Sequence, residues 1–176
     1  MLYEGNVVDP ANHNELLILG KIATFCASAR VAFNEHDGVW RVSGDPTEAA
    51  LLVFGEKTGF KKDELEQEEP QVAEVPFDAK LKYHVALHAV GKKKMLTVVG
   101  APEVILGLCK NQWMPTRSRV LTAGRREEIE SVVHSMSRKG ERVIAAAMIP
   151  TFRGAIGDPA ELATALKGAT FVGLFG

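Results

Sequence analysis

The segment 96–103 combines residue types that let a protein backbone touch a ligand. An apolar run reaches Gly100, and Ala101, Pro102 and Glu103 then open a helix. Gly100 has no Cβ, so another group can approach the chain closely there, while Pro102 and Glu103 both suit a first helical turn. The segment therefore predicts a strand-to-helix turn that is suited to form one wall of a binding site.

Phe77 is a second candidate, because its ring type suits the binding of a flat base. It follows Pro76 at the edge of a predicted strand, where a phenylalanine is by default a core residue. A phenylalanine ring is also a surface on which a purine can stack, at about 1 to 3 kcal/mol per base. Phe77 is thus either a core aromatic residue or a stacking surface.

The segment 45–48, Asp-Pro-Thr-Glu, supplies two carboxylates whose spacing has a purely structural explanation. In a capping box, Asp45 accepts a hydrogen bond from an amide of the first turn while Glu48 reaches back to the cap amide. The chain repeats this spacing in 158–161, Asp-Pro-Ala-Glu, where nothing suggests a ligand. The spacing alone therefore predicts a helix start, and Glu48 is available to a ligand only if the cap does not use its carboxylate.

Other patterns that carry chemistry in proteins are not supported. His84 and His88 lie four apart on one face of a predicted strand, with no third metal ligand nearby in sequence. The segment 55–58, Gly-Glu-Lys-Thr, lies inside a predicted helix and lacks the glycine-rich loop of a phosphate-binding motif. Cys26 and Cys109 lack the partners of a zinc site, and no constellation suggests nucleophilic catalysis. The sequence thus predicts no catalytic residue and no metal ligand.

The composition predicts one globular domain over residues 1–176, with 46% hydrophobic and 24% charged residues. A net charge of -1 argues against a general binder of nucleic acid or of an anionic membrane surface. No apolar run reaches the roughly 18 to 20 residues of a membrane-spanning helix, and the start lacks the features of a signal peptide. Two cysteines fit a reducing cytoplasm. The apolar run 169–176 stops abruptly, which suggests a fragment of a larger chain.

Hydrophobic periodicity places the candidate residues on an α+β framework. Helices are predicted over 13–30, 45–59, 101–109, 122–139 and after 158, and strands over 39–42, 72–75, 83–90, 94–99, 142–149 and 169–176. The turn 91–93, Gly-Lys-Lys, makes two of these strands an antiparallel hairpin. The charged stretch 61–69 is predicted as a solvated helix end or loop. The predicted fold class is α+β, a mostly antiparallel twisted sheet flanked by helices.

Four segments in order resemble the nucleotide-binding (N) domain of P-type cation-transporting ATPases: 44–48, 76–82, 96–103 and 142–147. In that family the glutamate of the first segment faces the adenine amino group, and the phenylalanine of a Phe-x-x-x-x-Lys segment stacks on adenine. The arginine of an Arg-x-Leu-Ala-x-Ala segment assists phosphate binding, a task that suits the guanidinium fork. The resemblance implies a nucleotide site formed by Thr47, Glu48, Phe77, Lys82, Val99, Gly100, Ala101 and Arg142.

One position departs from the family pattern. The family usually has a lysine where Val99 stands, so the implied pocket keeps the shape of the Gly100 turn and lacks one cation. Lys80, Lys82 and the basic turn 92–94 are candidates to replace it. Loss of a charged hydrogen bond would weaken nucleotide binding by about 1 to 3 kcal/mol.

The resemblance implies a fragment of a larger membrane pump, closer to the calcium-type pumps than to the heavy-metal pumps. The domain would bind ATP, as MgATP with the magnesium held mainly elsewhere, and present the γ-phosphate to the phosphorylatable aspartate of a separate domain. It would be a cytoplasmic domain of an integral membrane protein, and its partners would be the phosphorylation and actuator domains of the same pump, with no nucleic acid and no direct membrane contact by residues 1–176. Residues 1–176 lack the aspartate and should not turn over ATP alone. The alternative is an N-domain-like interaction or regulatory module with weakened nucleotide affinity, which Val99 supports.

Overall fold

The computed structural model describes residues 2–3 and 6–176 of the chain. Its helices are α1 (Asn14–Phe25), α2 (Pro46–Lys57), α3 (Lys62–Glu68), α4 (Pro102–Leu108), α5 (Ala123–Arg138) and α6 (Pro159–Leu166). Its strands are β1 (Leu2–Tyr3), β2 (Asn6–Val7), β3 (Arg30–Asn34), β4 (Val39–Ser43), β5 (Gln71–Asp78), β6 (Tyr83–Val90), β7 (Lys93–Gly100), β8 (Cys109–Gln112), β9 (Arg119–Val120), β10 (Ile144–Ile149) and β11 (Ala169–Phe175). Within the described residues, no helix has the length and apolar character needed to span a bilayer.

Seven of the strands form one sheet in the order β5-β6-β7-β10-β11-β8-β9. All neighbouring pairs in it are antiparallel except β11 and β8, which are parallel. The strands β1 and β2 pair separately, as do β3 and β4. The predicted α+β class with a mostly antiparallel sheet is confirmed.

The sheet separates two apolar cores, because successive residues of a strand point to opposite faces. Val85 of β6 lies in the core that Ile105 of α4 and Ile129 of α5 complete. Its neighbour Ala86 lies in the other core, together with Ile22 of α1 and Leu51 of α2. The candidate binding residues of α2 therefore lie on the α1–α2 face of the sheet.

Two glycines hold α1 and α2 in close contact. A side-chain carbon on Gly20 would overlap the hydroxyl oxygen of Thr58, and one on Gly55 would overlap that of Thr24. Both hydroxyls are used within their own helices, because Thr24 donates to Gly20 O at 2.9 Å and Thr58 donates to Gly55 O at 2.8 Å. This contact fixes where the first turn of α2 lies relative to the sheet.

Several predicted boundaries differ from the structure. The helix predicted over 13–30 ends at Phe25, because Cys26, Ala27 and Ala29 keep the apolar pattern and are buried while the chain forms a loop into β3. The charged stretch 61–69 forms α3, and the strand predicted from 142 begins at Ile144. The strands β3, β8 and β9 were not predicted, because each is short and β3 and β9 are largely exposed.

Candidate functional site

A cavity of about 250 Å³ opens on the α1–α2 face, between the start of α2 and the ends of β5, β6, β7 and β10. Six of the sequence-predicted site residues line it: Thr47, Glu48, Phe77, Val99, Gly100 and Arg142. The other lining residues are Cys26, Asp45, Leu51, His84 and Ile144. The volume is slightly below the range of about 300 to 1,000 Å³ typical of pockets for drug-sized ligands, so it suits a group the size of one base.

Asp45 forms the N-terminal cap of α2 at the edge of the cavity. Its Oδ1 atom accepts hydrogen bonds from the backbone N–H groups of Thr47 at 2.7 Å and Glu48 at 3.3 Å. The Thr47 side chain contributes most to holding the pKa of Asp45 below its usual value, and the two backbone amides and the charge of Arg142 lower it further. The cap residue Asp45 is therefore an ionised carboxylate that the positive charge of Arg142 stabilises.

Glu48 does not complete a capping box. Its Oε2 atom accepts a hydrogen bond from the backbone N–H of Ser28 at 3.1 Å, in the loop that follows α1. Within the described residues, its other oxygen, Oε1, has no hydrogen-bond partner and no ion pair. The helix cap therefore does not use the Glu48 carboxylate, and one of its oxygens remains available as a hydrogen-bond acceptor.

Phe77 lies at the rim of the cavity near the end of β5, with 54% of its surface exposed. Asp78 Oδ1 accepts from the backbone N–H groups of Lys80 at 2.7 Å and Leu81 at 2.9 Å, so the chain turns immediately after Phe77. A half-exposed phenylalanine outside both cores is not the buried aromatic that a strand edge predicts by default. It leaves an apolar ring available to a flat ligand.

Lys82 and Ala101 are not among the residues that line the cavity. The Lys82 ammonium lies 3.2 Å from Glu103 Oε1, with both side chains exposed. The Lys82 carbonyl accepts a hydrogen bond from the Ala101 N–H at 3.0 Å. An added Cβ on Gly100 would collide with that carbonyl and with Tyr83. The close approach at Gly100 is therefore made by the protein's own backbone, and the Lys82 side chain points to a neighbouring acid.

Asp45 and Glu48 bring carboxylates to the cavity and Arg142 brings a cation, whereas Val99 brings no charge. Val99 is 5% exposed and pairs in register with His84 on one side and Ala146 on the other. Arg142, just before β10, is the only lysine or arginine lining the cavity in the part of the chain that the structure describes. It is exposed and makes no hydrogen bond or ion pair with another described residue. A single free guanidinium is thus available at the mouth.

Five lining residues were not among the predicted site residues, and two of these, Cys26 and His84, bring polar atoms that the sequence analysis did not assign to a ligand pocket. Cys26 lies in the wall, its Sγ atom 3.3 Å from Thr97 Oγ1, and burial raises the pKa of its thiol to about 12, so it stays protonated. His84 is 3% exposed and lies opposite Val99 across the β6–β7 hairpin. The register of the predicted hairpin could have indicated this position, because residues equidistant from a hairpin turn face each other and Val99 was already a candidate site residue. The sequence analysis weighed His84 only as a metal ligand.

No group of three or more histidine, cysteine, aspartate or glutamate side chains suited to a metal ion occurs in residues 2–3 and 6–176. The cavity instead offers a free carboxylate oxygen, a half-exposed aromatic ring and one unpaired guanidinium. Such a set can accept hydrogen bonds from an amino group, stack on a planar base and attract an anion at the mouth.

Comparison with known proteins agrees with the resemblance noted in the sequence. A family model described as "P-type ATPase, cytoplasmic domain N" matches residues 15–176. The chain is similar to "Calcium-transporting ATPase 1" of Lactococcus lactis subsp. lactis (strain IL1403), with 30% identity over 107 residues, 61% of this chain and 12% of the relative.

Two further relatives are similar over different shares of the chain. "Probable cation-transporting ATPase F" of Mycobacterium tuberculosis (strain ATCC 25618 / H37Rv) is 37% identical over 101 residues, 57% of this chain and 11% of the relative. "Calcium-transporting ATPase" of Bacillus subtilis (strain 168) is 28% identical over 163 residues, 92% of this chain and 17% of the relative. The chain therefore spans less than a fifth of the length of each of these proteins.

Proposed function

The chain belongs to the family of P-type ATPase cytoplasmic N domains, and from that premise we propose that its cavity binds the base of ATP. The observation that carries the proposal is that Glu48, with one unused carboxylate oxygen, and the half-exposed Phe77 line the same cavity. The adenine would stack on Phe77, and its amino group would donate to Glu48.

The phosphates of ATP would extend out of the cavity towards Arg142. The cavity suits one base, so the triphosphate must lie at or beyond the mouth, where the guanidinium makes no hydrogen bond or ion pair with another described residue. Arginine binds phosphate oxygens through two parallel N–H groups, which suits this position. Lys82 would join the phosphate site only by leaving Glu103, and that role stays a prediction.

In the whole protein, the domain would hold ATP so that its γ-phosphate reaches an aspartate of the phosphorylation domain. Phosphoryl transfer depends chiefly on positioning and on neutralising charge, so an N domain contributes by orientation. The magnesium of MgATP would be held mainly by other parts of the pump. Cation transport is proposed by analogy with the relatives, two of which are named as calcium-transporting ATPases.

A second candidate function is an N-domain-like interaction or regulatory module with weak nucleotide affinity. The observation that favours it is the apolar Val99 in the back wall, which leaves Arg142 as the one permanent cation among the described lining residues. The two candidates differ in whether ATP binds at concentrations found in cells.

The test is a titration of the domain with ATP, followed by backbone amide NMR shifts. We expect saturable shifts at Phe77, Glu48 and the Gly100 turn below millimolar ATP. Saturation only at several millimolar would favour the second candidate, and the absence of any shift near Phe77 would refute nucleotide binding at this site.

A further inference from the structure

His84 is a buried polar residue at the back of the cavity whose polar atoms are unsatisfied. It is 3% exposed, and neither ring nitrogen has a hydrogen-bond partner within the described residues. The nearest acid is Glu74 on the adjacent strand β5, with its Oε2 atom 3.6 Å from His84 Nε2. This distance is slightly longer than a hydrogen bond, and a small rotation of either side chain would close it.

A buried imidazole without partners needs a physical explanation. Leaving a buried donor or acceptor unpaired costs about 1 to 3 kcal/mol, so such groups are rare in folded proteins, and a ligand or an ordered water is one way to complete them. A neutral imidazole has one N–H donor and one acceptor nitrogen. A carboxylate is only an acceptor, so a carboxylate beside Nε2 favours the tautomer with the proton on Nε2.

Glu74 is placed to act on His84 while keeping contact with water. The Glu74 side chain is 36% exposed, whereas the His84 side chain is 4% exposed. Glu74 is not among the residues that line the cavity, and the lining residue whose polar atom lies near its carboxylate is His84.

We propose that Glu74 is a positioning residue that holds the Nε2–H tautomer of His84, so that Nδ1 serves as an acceptor for the amino group of the bound base. The inference rests on the proposed function, since the base is the adenine of ATP. In the free protein His84 Nδ1 has almost no accessible surface, so the ring must shift towards the cavity before Glu48 Oε1 and His84 Nδ1 can supply the two acceptors that match the two donor hydrogens of an exocyclic amino group. A 6-oxo base presents an acceptor at that position and leaves both protein atoms unpaired, so the pair selects 6-aminopurine over 6-oxopurine.

The binding test compares ATP with ITP, whose base carries oxygen in place of the amino group. We expect wild type to prefer ATP, and His84→Leu to reduce the ratio of the two affinities about 3- to 10-fold, the value of one neutral hydrogen bond. His84→Gln keeps an acceptor and should restore part of the preference. His88→Gln is the matched control, because His88 lies on the same face of β6 and does not line the cavity.

The positioning role has its own readout in the free protein. Imidazole nitrogen NMR at pH 8 should show His84 as the Nε2–H tautomer, and Glu74→Ala should give a mixture of tautomers, whereas Glu74→Gln, whose amide oxygen still accepts, should preserve it. Addition of ATP should shift the Nδ1 resonance in the direction of an accepted hydrogen bond.

The outcomes separate this inference from the proposed function. If wild type binds ATP and His84→Leu leaves the preference for ATP over ITP unchanged, the role of His84 is overturned and nucleotide binding stands. An Nδ1–H tautomer in wild type overturns the role of Glu74 without any variant. If wild type binds neither nucleotide, both proposals fail together.

Discussion

The Glu48 carboxylate accepts a hydrogen bond from the backbone N–H of Ser28, 3.1 Å away. This bond joins the first turn of α2 to the loop after α1, at the base of the exposed β3–β4 hairpin. Gly44, at φ +112, lies against Ala29 at the same place, and a Cβ on it would be 3.0 Å from the Ala29 Cα. The position of the Glu48 carboxylate in the cavity wall therefore depends on both ends of the hairpin.

Replacing Glu48 by glutamine should weaken ATP binding about 10- to 100-fold, because the amide keeps an oxygen for the Ser28 N–H and loses the charged acceptor for the base. Calorimetric titration with ATP measures the change. The matched control is Glu161→Gln, which changes the glutamate of the second Asp-Pro-x-Glu helix start without altering the cavity lining. Equal affinities in wild type and Glu48→Gln would rule out a direct contact with the base.

Replacing Phe77 by alanine should cost about 1 to 3 kcal/mol of ATP affinity through lost stacking. The free energy of unfolding should change little, because the ring is 54% exposed and belongs to neither core. ATP titration and urea unfolding measure the two effects separately. Phe33→Ala is the control, since Phe33 is 48% exposed and lies on the β3–β4 hairpin. A similar loss of affinity in both variants would show that stacking on Phe77 is not its cause.

Replacing Val99 by lysine should raise ATP affinity about tenfold, because it adds a charged hydrogen-bond donor to a cavity with one permanent cation among its described lining residues. The same titration measures it, with thermal unfolding to monitor the cost of a charge at a position that is 5% exposed. Val99→Met controls for side-chain length. Tight binding by wild type with no gain in Val99→Lys would indicate that Arg142 already supplies enough charge.

The free energy of unfolding should depend on pH through His88. Burial chiefly lowers the pKa of His88 from 6.5 to about 4, and the positive field of Lys62, Lys21 and His84 adds to this. The unfolded chain therefore binds more protons than the folded protein between these two pH values. Above pH 6.5 His88 is neutral in both the folded and the unfolded state and does not change the free energy of unfolding. As the pH is lowered to 4, proton binding by the unfolded chain lowers the free energy of unfolding by roughly 3 kcal/mol.

Urea unfolding between pH 4 and 8 measures this dependence. His88→Gln should flatten it in that window, because the variant has no imidazole to protonate on unfolding. His134→Gln, at an exposed position on α5, should leave it unchanged. Equal slopes in wild type and His88→Gln would contradict the depressed pKa of His88.

The sequence predicts the elements with strong local signals. The β6–β7 hairpin follows from two apolar runs around Gly91, which has φ +57 in the turn, and the start of α2 follows from Asp45 and Pro46. The resemblance to the P-type ATPase N domain is confirmed by the family match. These features depend on residues close together in the chain.

The features that sequence reasoning missed depend on contacts between distant residues. The Ser28–Glu48 hydrogen bond spans the β3–β4 hairpin, and nothing local indicates that a loop amide would replace the cap amide as the partner of Glu48. The packing of Gly100 against Lys82 and Tyr83 likewise follows from sheet register. The sequence analysis explained Gly100 by the close approach of a ligand, but the pairing of β6 with β7 also requires a glycine at this position.

The back wall of the cavity consists of residues on β6 and β7, and each of these strands is paired on both sides within the seven-stranded sheet. Its backbone is already ordered before a ligand arrives, with a second core packed against the opposite face. The conformational entropy lost on binding must then come mainly from the rim, where Phe77 and Arg142 are exposed. A substitution that rigidifies the rim should therefore raise ligand affinity more than one that adds a contact at the back wall.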